Sequence, residues 1–436
     1  MQTVALHTLG CKVSQYETEA VRERFIDMGF TPVAFGEAAD VYVINTCTVT
    51  AESDRKCRQM IRRARAASPE AIVAVMGCYS QRSPEDAERV GADIVLGTMD
   101  KLSVVDRAME MLALKGASNR SKALVSVAPL TRAEFEPMRI TEAPRTRAYI
   151  KIEDGCESKC TYCAIKEARG PVRSKLPEDV IGEVEGLAKS GIREVVLTGI
   201  ETGSYGRDLN TGYGLGDLIR ELGERGAVER IRLGSLAPEL CGEDFAAAAR
   251  ACPAITPHFH ISMQSGSDRV LARMKRRYTR ARAIENINRL KEYIPGARFT
   301  TDLMVGFPGE TEEDFLDTVS LVKEVGFIAC HVFAYSRRAG TPAASYPDQI
   351  PEGVKRERSE RLIEVAREVR EGILSEVVEE GGALRCILET YSDGAYTAHS
   401  DEFFECRIEA PEGLEGEYVS CLPTSHKDGV ILAKLM

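Results

Sequence analysis

Cys156, Cys160 and Cys163 stand in a C-x3-C-x2-C spacing, just after the extended run 149–153 and Gly155. Three thiolates can ligate three irons of a [4Fe–4S] cube, whereas a purely electron-transferring cube usually takes four. The remaining iron is then open to a substrate or cofactor. A zinc knuckle is the competing chemistry, but zinc asks for four nitrogen or sulfur ligands, usually as two paired C-x2-C units. This segment holds one C-x2-C pair and no nearby histidine.

The elements around a second set of thiols make them converge. Residues 1–100 alternate strand-like and helix-like runs, with strands expected at 4–8, 40–45, 71–76 and 93–96 and helices over 14–28, 53–67 and after Ser83. That alternation predicts an open parallel sheet with helices on both faces. Cys11, Cys47 and Cys78 each fall just past the carboxyl end of a strand, the edge at which open α/β sheets bind ligands. They form a second candidate three-thiolate set with one open iron. Cys57 shares a helical face with Met60, Ile61 and Ala64 and reads as core packing, as do the six cysteines from Cys241 onward.

Residues 101–145 read as a connector, helical over 100–115 and then irregular. Residues 146–345 repeat a strand–helix rhythm about six times, with strands expected at 148–153, 194–198, 230–234, 258–263, 299–305 and 328–333. Six such units predict an incomplete α/β barrel, whose chemistry collects at the C-terminal strand ends. Thr198, Glu201, Ser235, Gln264, Ser265, Asp302, Tyr335 and Ser336 stand at those ends and outline a pocket mouth facing the Cys156–Cys163 loop. A charged amphipathic helix over 351–380 follows. Residues 383–436 change to short alternating runs between turn signals such as Ser392-Asp-Gly394, the pattern of a small β-barrel of the kind that binds RNA. This last segment carries ten Asp/Glu against four Lys/Arg, so a structural cap competes with RNA binding there.

The whole chain has 436 residues and a net charge of −10, which argues against a general nucleic-acid binder and gives no expectation of DNA. One helix departs from that trend: Arg55, Arg58, Arg62 and Arg65 share a face near the Cys47 edge, a candidate RNA-backbone contact. No apolar stretch approaches the roughly 20 residues that span a bilayer. The first ten residues lack a basic leader. Thirteen cysteines, an odd count with irregular spacing, argue for metal ligation in a reducing compartment rather than a disulfide framework, and so for a cytoplasmic protein without membrane partners.

Ordered motifs along the chain resemble the radical S-adenosylmethionine (SAM) methylthiotransferase family. They are Leu9-Gly-Cys11, Asn45-Thr-Cys-Thr-Val-Thr50, Gly77-Cys-Tyr79, the Cys156–Cys163 cluster with the aromatic Tyr162, Arg169-Gly-x-x-Arg-Ser174, Leu197-Thr-Gly199, His260-Ile-Ser-Met-Gln-Ser-Gly266, Met274-Lys-Arg-Arg-Tyr278, Asp302-x3-Gly-Phe-Pro-Gly-Glu310 and Tyr335-Ser-Arg-Arg338. The resemblance is strongest to the branch acting on tRNA threonylcarbamoyladenosine. It departs from the family pattern at Glu201, where Asn is frequent, at Ala237, where Glu is, and at Lys166 and Glu167, where Pro and Tyr are usual.

The resemblance implies an α/β fold in three parts: an N-terminal α/β domain over 1–100 with an auxiliary cluster, a radical SAM partial (β/α)6 barrel over 146–375 beyond the 101–145 connector, and a TRAM-like β-barrel over 380–436. It implies two [4Fe–4S] clusters, on Cys156/Cys160/Cys163 and on Cys11/Cys47/Cys78, with SAM bound at the first near Tyr162, Thr198, Glu201, Ser235, Gln264, Ser265, Arg277 and Asp302. The implied reaction is methylthiolation of C2 of N6-threonylcarbamoyladenosine at tRNA position 37, with electrons from a flavodoxin or ferredoxin. Three alternatives stand beside it: a ribosomal-protein side chain as target, isopentenyladenosine in tRNA as target, and a non-catalytic iron–sulfur RNA-binding sensor.

Overall fold

The computed structural model describes residues 2–114, 123–130, 134–143 and 146–436. Parts of the expected connector therefore lie outside the described residues.

The N-terminal strands are β1 (Thr3–Thr8), β2 (Thr31–Val33), β3 (Val41–Thr46), β4 (Ile72–Gly77), β5 (Ile94–Leu96) and β6 (Leu124–Ser126). They form one all-parallel sheet in the order β2-β1-β3-β4-β5-β6. Strands β3 and β4 are buried at every position, as a sheet covered on both faces requires. β6 corrects the reading of 101–145 as a connector: after the helix Ser103–Leu114 the chain adds this edge strand to the sheet. At three residues with half-buried ends, it carries too little periodicity to be visible in sequence.

The central strands are β7 (Arg147–Lys151), β8 (Glu153–Asp154), β9 (Arg173–Ser174), β10 (Glu194–Thr198), β11 (Arg230–Leu233), β12 (His258–Gln264), β13 (Arg298–Val305) and β14 (Ala329–Ala334). β7, β10 and β11 pair in parallel, as do β12, β13 and β14. Bridges Ile231–Ile255 and Leu236–Ile261 join the two halves. The result is an open six-stranded barrel in chain order, with β8 and β9 forming a two-stranded antiparallel clip at its mouth. The helix Lys12–Asp27 packs against β7, and its Tyr16 and Ala20 belong to the barrel's apolar core. The N-terminal sheet is thereby mounted beside the first barrel strand.

The helix Glu352–Glu380 lies along β14 and ends on Gly381 in the left-handed conformation. Beyond it β15 (Leu384–Ser392), β16 (Ala395–Ser400), β17 (Glu405–Glu409), β18 (Tyr418–Lys427) and β19 (Val430–Leu435) close into a barrel in the order β15-β16-β17-β19-β18. Cys386, Cys406 and Cys421 meet in its core, the Cys386 and Cys421 sulfurs 3.5 Å apart and not bonded. The sequence pattern lacks β16, whose core-facing side chains are Tyr396 and Ala398.

A buried knot of charge ties the N-terminal sheet to the barrel. Glu17 is fully buried and accepts hydrogen bonds from Arg169 Nη1 at 2.5 Å and Lys151 Nζ at 2.9 Å, with Lys101 Nζ at 3.0 Å. Asp154 meets Lys151 at 2.8 Å, Arg169 at 3.2 Å and Arg173 at 3.4 Å. Burial opposes both ionised carboxyls, but Arg169 and the lysines hold them below the ordinary carboxylate range. Removing Glu17 leaves Lys101, Lys151, Arg169 and Arg173 buried with Asp154 as the one carboxylate of the knot, an excess of buried positive charge. Glu17→Ala is expected to cost about 3–5 kcal/mol, read as a lowered denaturation midpoint of the cluster-free protein. Asp27→Ala, exposed on the same helix and outside the knot, should change stability by no more than about 0.5 kcal/mol.

Candidate functional site

Each N-terminal cysteine leaves a strand end in a conformation that its neighbours dictate. Cys11 is the N-cap of the helix Lys12–Asp27, and Gly10 before it has φ +132°. A Cβ on Gly10 would lie 3.3 Å from the Cys47 Cβ and 3.6 Å from its sulfur. Gly77, before Cys78, has φ +106°, and a Cβ there would lie 2.6 Å from Thr46 O. Asn45 Nδ2 donates to Ser14 O at 2.9 Å, holding the end of β3 to the first helix. Cys11 is exposed, Cys47 half-buried and Cys78 buried. Burial pushes the Cys78 thiol up to about 11 against the pull of Arg169, whose Nε donates to the sulfur at 3.1 Å. Burial likewise raises Cys47, and Cys11 adds to that rise. The three thiols share one electrostatic neighbourhood at the carboxyl edge of the sheet.

The second set sits in the loop between β8 and the short helix Ile165–Arg169. Gly155 has φ +87°, and a Cβ on it would lie 1.9 Å from Pro171 O. The loop is stitched down by Cys156 N to Gly170 O at 3.0 Å and Thr161 N to Met274 O at 3.1 Å. Every sulfur receives a donor at 3.4 Å: Ser158 N–H to Cys156, Arg276 Nη1 to Cys160, and Ile165 N–H to Cys163. Donors of this kind favour thiolate over thiol. Burial works the other way, pushing Cys163 up to about 12 and raising Cys156. Soft sulfur donors grouped in threes, held ready but costly to ionise without a cation, fit iron–sulfur ligation.

One cleft of about 400 Å³ runs over this loop. Cys156, Cys160 and Cys163 line it, as do Tyr162, Glu201, Ser235, Gln264 and Asp302, and Val49 and Thr50 from just beyond Cys47 close it. The Tyr335–Arg338 motif fastens that closing loop. Ser336 Oγ accepts from Ala51 N at 3.2 Å, and Arg338 Nη2 donates to Thr48 Oγ1 at 2.6 Å and Asp54 Oδ2 at 2.7 Å. Gln264, strained at φ +61°, keeps its Oε1 buried and without a partner, and the buried Tyr335 hydroxyl is also unpaired. Such orphaned groups in a cleft wait for a polar ligand, and they fit the amino-acid end of a SAM molecule.

Three expected cleft residues lie elsewhere. Arg277 is exposed and outside the cleft, and Arg276 occupies the place expected for it, donating also to Ser262 O at 3.1 Å. The run Lys275–Arg277 leaves the choice of arginine open until the turn after the helix Asp268–Arg273 is known. Ser265 is fully buried, accepting from Ser267 N at 3.2 Å. Thr198 is buried at the end of β10, its carbonyl receiving Ile152 N at 2.9 Å.

The arginine stripe is also redistributed. Arg65 is spent on structure, donating to Ala71 O at 2.7 Å and Gly91 O at 2.9 Å and pairing with Asp93. Arg58 pairs with Asp86 at 3.3 Å, and Arg55 with Glu52 at 2.5 Å, both members of the latter pair exposed. Arg62 is exposed with no ion pair among the described residues, and so are Lys56 and Arg63, which the sequence reading left out. The free cationic face is rotated one position from the expected stripe.

The Radical SAM superfamily profile matches residues 150–322, and that of Uncharacterized protein family UPF0004 matches residues 3–97. Among solved structures, the radical S-adenosylmethionine methyltransferase TsrM from Kitasatospora setae has a TM-score of 0.58, covering 85% of this chain and 89% of its own at 14% identity, a likeness of fold. Threonylcarbamoyladenosine tRNA methylthiotransferase MtaB of Bacillus subtilis is 41% identical over 96% of this chain and 93% of its own. The protein of the same name from Thermotoga maritima is 36% identical over 94% and 93%. The tRNA-2-methylthio-N(6)-dimethylallyladenosine synthase of Acetivibrio thermocellus is 33% identical over 86% and 79%. The chain therefore belongs to the radical SAM methylthiotransferase family.

Glu201, one of the departures from the family pattern, has a legible consequence. Burial pushes its carboxyl up to about 7, opposed by Arg276 and reinforced by Glu239. Against an unfolded value of about 4.3, the folded protein binds the extra proton. Glu201 therefore costs no stability at low pH, and its cost grows until pH passes about 7. Glu201→Gln should raise the melting temperature of the cluster-free protein at pH 8 and leave it unchanged at pH 4.

Proposed function

We propose that the protein is a tRNA methylthiotransferase that places a methylthio group on C2 of N6-threonylcarbamoyladenosine at position 37. The observation that carries this reading is a pair of three-cysteine sets, each a thiol short of a closed four-cysteine cube: one lines the cleft, and the loop that follows Cys47 of the other closes it through Val49 and Thr50. The 41% identity to the threonylcarbamoyladenosine-specific relative, against 33% to the dimethylallyladenosine one, supports that substrate branch. When bound, two [4Fe–4S] clusters and SAM supply the one-electron chemistry and the sulfur and methyl carriers that an unactivated aromatic C–H requires.

This chain's own residues bind, orient and exclude water. Cys156, Cys160 and Cys163 would hold one cluster beside SAM, and Cys11, Cys47 and Cys78 the other. Arg276 and Arg169 donate to one sulfur of each set, at 3.4 and 3.1 Å, and so favour the ionised ligand. Gln264 and Tyr335 offer unpaired polar atoms to SAM, while Met304, Phe333 and Ala334 give the cleft an apolar wall. The target base must leave its stack to enter. Electrons come from an external one-electron donor of the flavodoxin or ferredoxin class. Arg55, Lys56, Arg62 and Arg63 present a cationic face to the RNA backbone, whereas Arg65 is structural.

Two predictions separate these roles. In reconstituted enzyme under anaerobic, reducing conditions, Cys160→Ala should abolish 5′-deoxyadenosine formation. Cys47→Ala should retain it and lose methylthio product, read by nucleoside mass spectrometry; product from Cys47→Ala would contradict the two-set reading. Arg62→Glu combined with Arg63→Glu should weaken tRNA binding about equally for modified and unmodified RNA and flatten its salt dependence, as measured by filter binding between low and moderate salt.

A further inference from the structure

Three neighbouring barrel strands bring two histidines to the Asp302 carboxylate. His260 stands in β12, Asp302 in β13 and His331 in β14, and His331 is directly opposite Asp302 in the ladder. Asp302 Oδ2 lies 3.1 Å from His260 Nε2, and its Oδ1 lies 3.1 Å from His331 Nδ1. The three donor atoms fall within 4.8 Å of one another. Asp302 lines the cleft over the Cys156–Cys163 loop, as do Met304 and Phe333, two residues further along β13 and β14. His260 is buried, Asp302 half-buried and His331 exposed. Among the described residues no lysine or arginine pairs with Asp302.

Distance decides what this grouping suits. A charge-assisted hydrogen bond from imidazolium to carboxylate settles at about 2.7–2.9 Å, shorter than either contact here. Ligand atoms each about 2.1 Å from one octahedral ion stand about 3.0 Å apart along an edge, close to both contacts. The ring of His260 is held from behind. Its Nδ1 lies 2.9 Å from Thr300 Oγ1, and that hydroxyl lies 3.1 Å from His258 Nε2. One hydroxyl proton serves both rings when Thr300 donates to His258 and accepts from His260 Nδ1–H. His260 Nε2 then turns a lone pair, not a proton, toward Asp302, and a lone pair facing a carboxylate asks for a cation between them. Outer hydrogen bonds of this kind orient the histidines of metal sites. The His331 side chain is 69% exposed, with room to turn onto an ion at the third corner.

We propose that His260 Nε2, the Asp302 carboxylate and His331 Nδ1 bind one divalent first-row transition-metal ion, at a site distinct from both cysteine sets. Two imidazoles and a carboxylate suit manganese, iron or zinc, whereas magnesium and calcium favour all-oxygen sites. Three protein ligands leave the ion open on its remaining sides, as in sites that take up water or an oxygen-donor ligand. Asp302 faces the cleft, so such a ligand enters from there.

The test uses cluster-reconstituted wild type, His331→Ala and Asp302→Asn, with iron content and the visible absorption spectrum confirming intact clusters in each. Mn(II) is the probe, because it competes poorly for thiolates and its room-temperature electron paramagnetic resonance counts the free ion without a signal from the clusters. Wild type should take up one Mn(II) per chain with half-saturation at micromolar concentration. His331→Ala and Asp302→Asn should each weaken that uptake at least about 10-fold. His331 is exposed and asparagine keeps the size of Asp302, so both variants should remain folded. No saturable uptake by wild type up to millimolar Mn(II) would overturn the site. Uptake of equal affinity in all three proteins would place the ion elsewhere and overturn it too.

Discussion

Glu17 meets three cations with no water to share them, and the placement of both cysteine sets follows from that contact. It comes from the helix that starts at Cys11, while Lys151 and Arg169 come from the barrel and its cluster loop. Arg169 then reaches Cys78 with its remaining Nε at 3.1 Å. One guanidinium thus spans a carboxylate of the N-terminal domain, the Asp154 carboxylate beside the Cys156 loop and a thiol of the other set. A buried ion network of this kind adds little net stability over apolar packing, yet it punishes any displacement heavily. Two reacting centres that must keep a fixed separation gain from such a constraint, because effective concentration falls steeply with small misplacements.

The thiols themselves sit in tension. Burial raises Cys78, Cys156 and Cys163, while Arg169, Ser158 N–H and Ile165 N–H favour their ionised forms. Without a metal these raised thiols stay protonated at neutral pH, and a cluster held by them would take the place of those protons. Metal uptake is therefore coupled to proton release and to the stability of the loops that carry the ligands. Glycines fit the same picture. A Cβ on Gly155 would fall 1.9 Å from Pro171 O and one on Gly77 2.6 Å from Thr46 O, so only glycine lets the backbone turn abruptly beside Cys156 and Cys78.

Much of this was legible in the sequence because strand ends and cysteines coincide in register. The alternation over 1–100 places Cys11, Cys47 and Cys78 at one sheet edge, and the sheet in the structure has that edge. The six central strands read correctly from their regular spacing between helical runs, even where charge or polarity alternates with apolar side chains, as in the Arg-Ile-Arg-Leu of β11. What escaped was set by tertiary contacts. Nothing local distinguishes Arg276 from Arg277, and only the turn before Tyr278 turns the first into the cleft. Arg65 looks like a surface cation until the carbonyls of Ala71 and Gly91 are seen to receive it. β6 and β16 are strands made by their neighbours: one completes a sheet edge, and the other is held between β15 and β17 of a closed barrel. Ser265 has the polarity of a pocket residue but accepts from Ser267 N, and Thr198 is buried at the end of β10, so neither lines the cleft.

The central claim is that the two cysteine sets act together on one tRNA base. Nucleoside mass spectrometry of tRNA from cells with and without the intact gene tests it most directly. The account predicts loss of the 2-methylthio form and accumulation of N6-threonylcarbamoyladenosine when the gene is absent, with restoration by the wild-type gene. An unchanged content of 2-methylthio-N6-threonylcarbamoyladenosine, in cells that carry no second gene of this family, would contradict it.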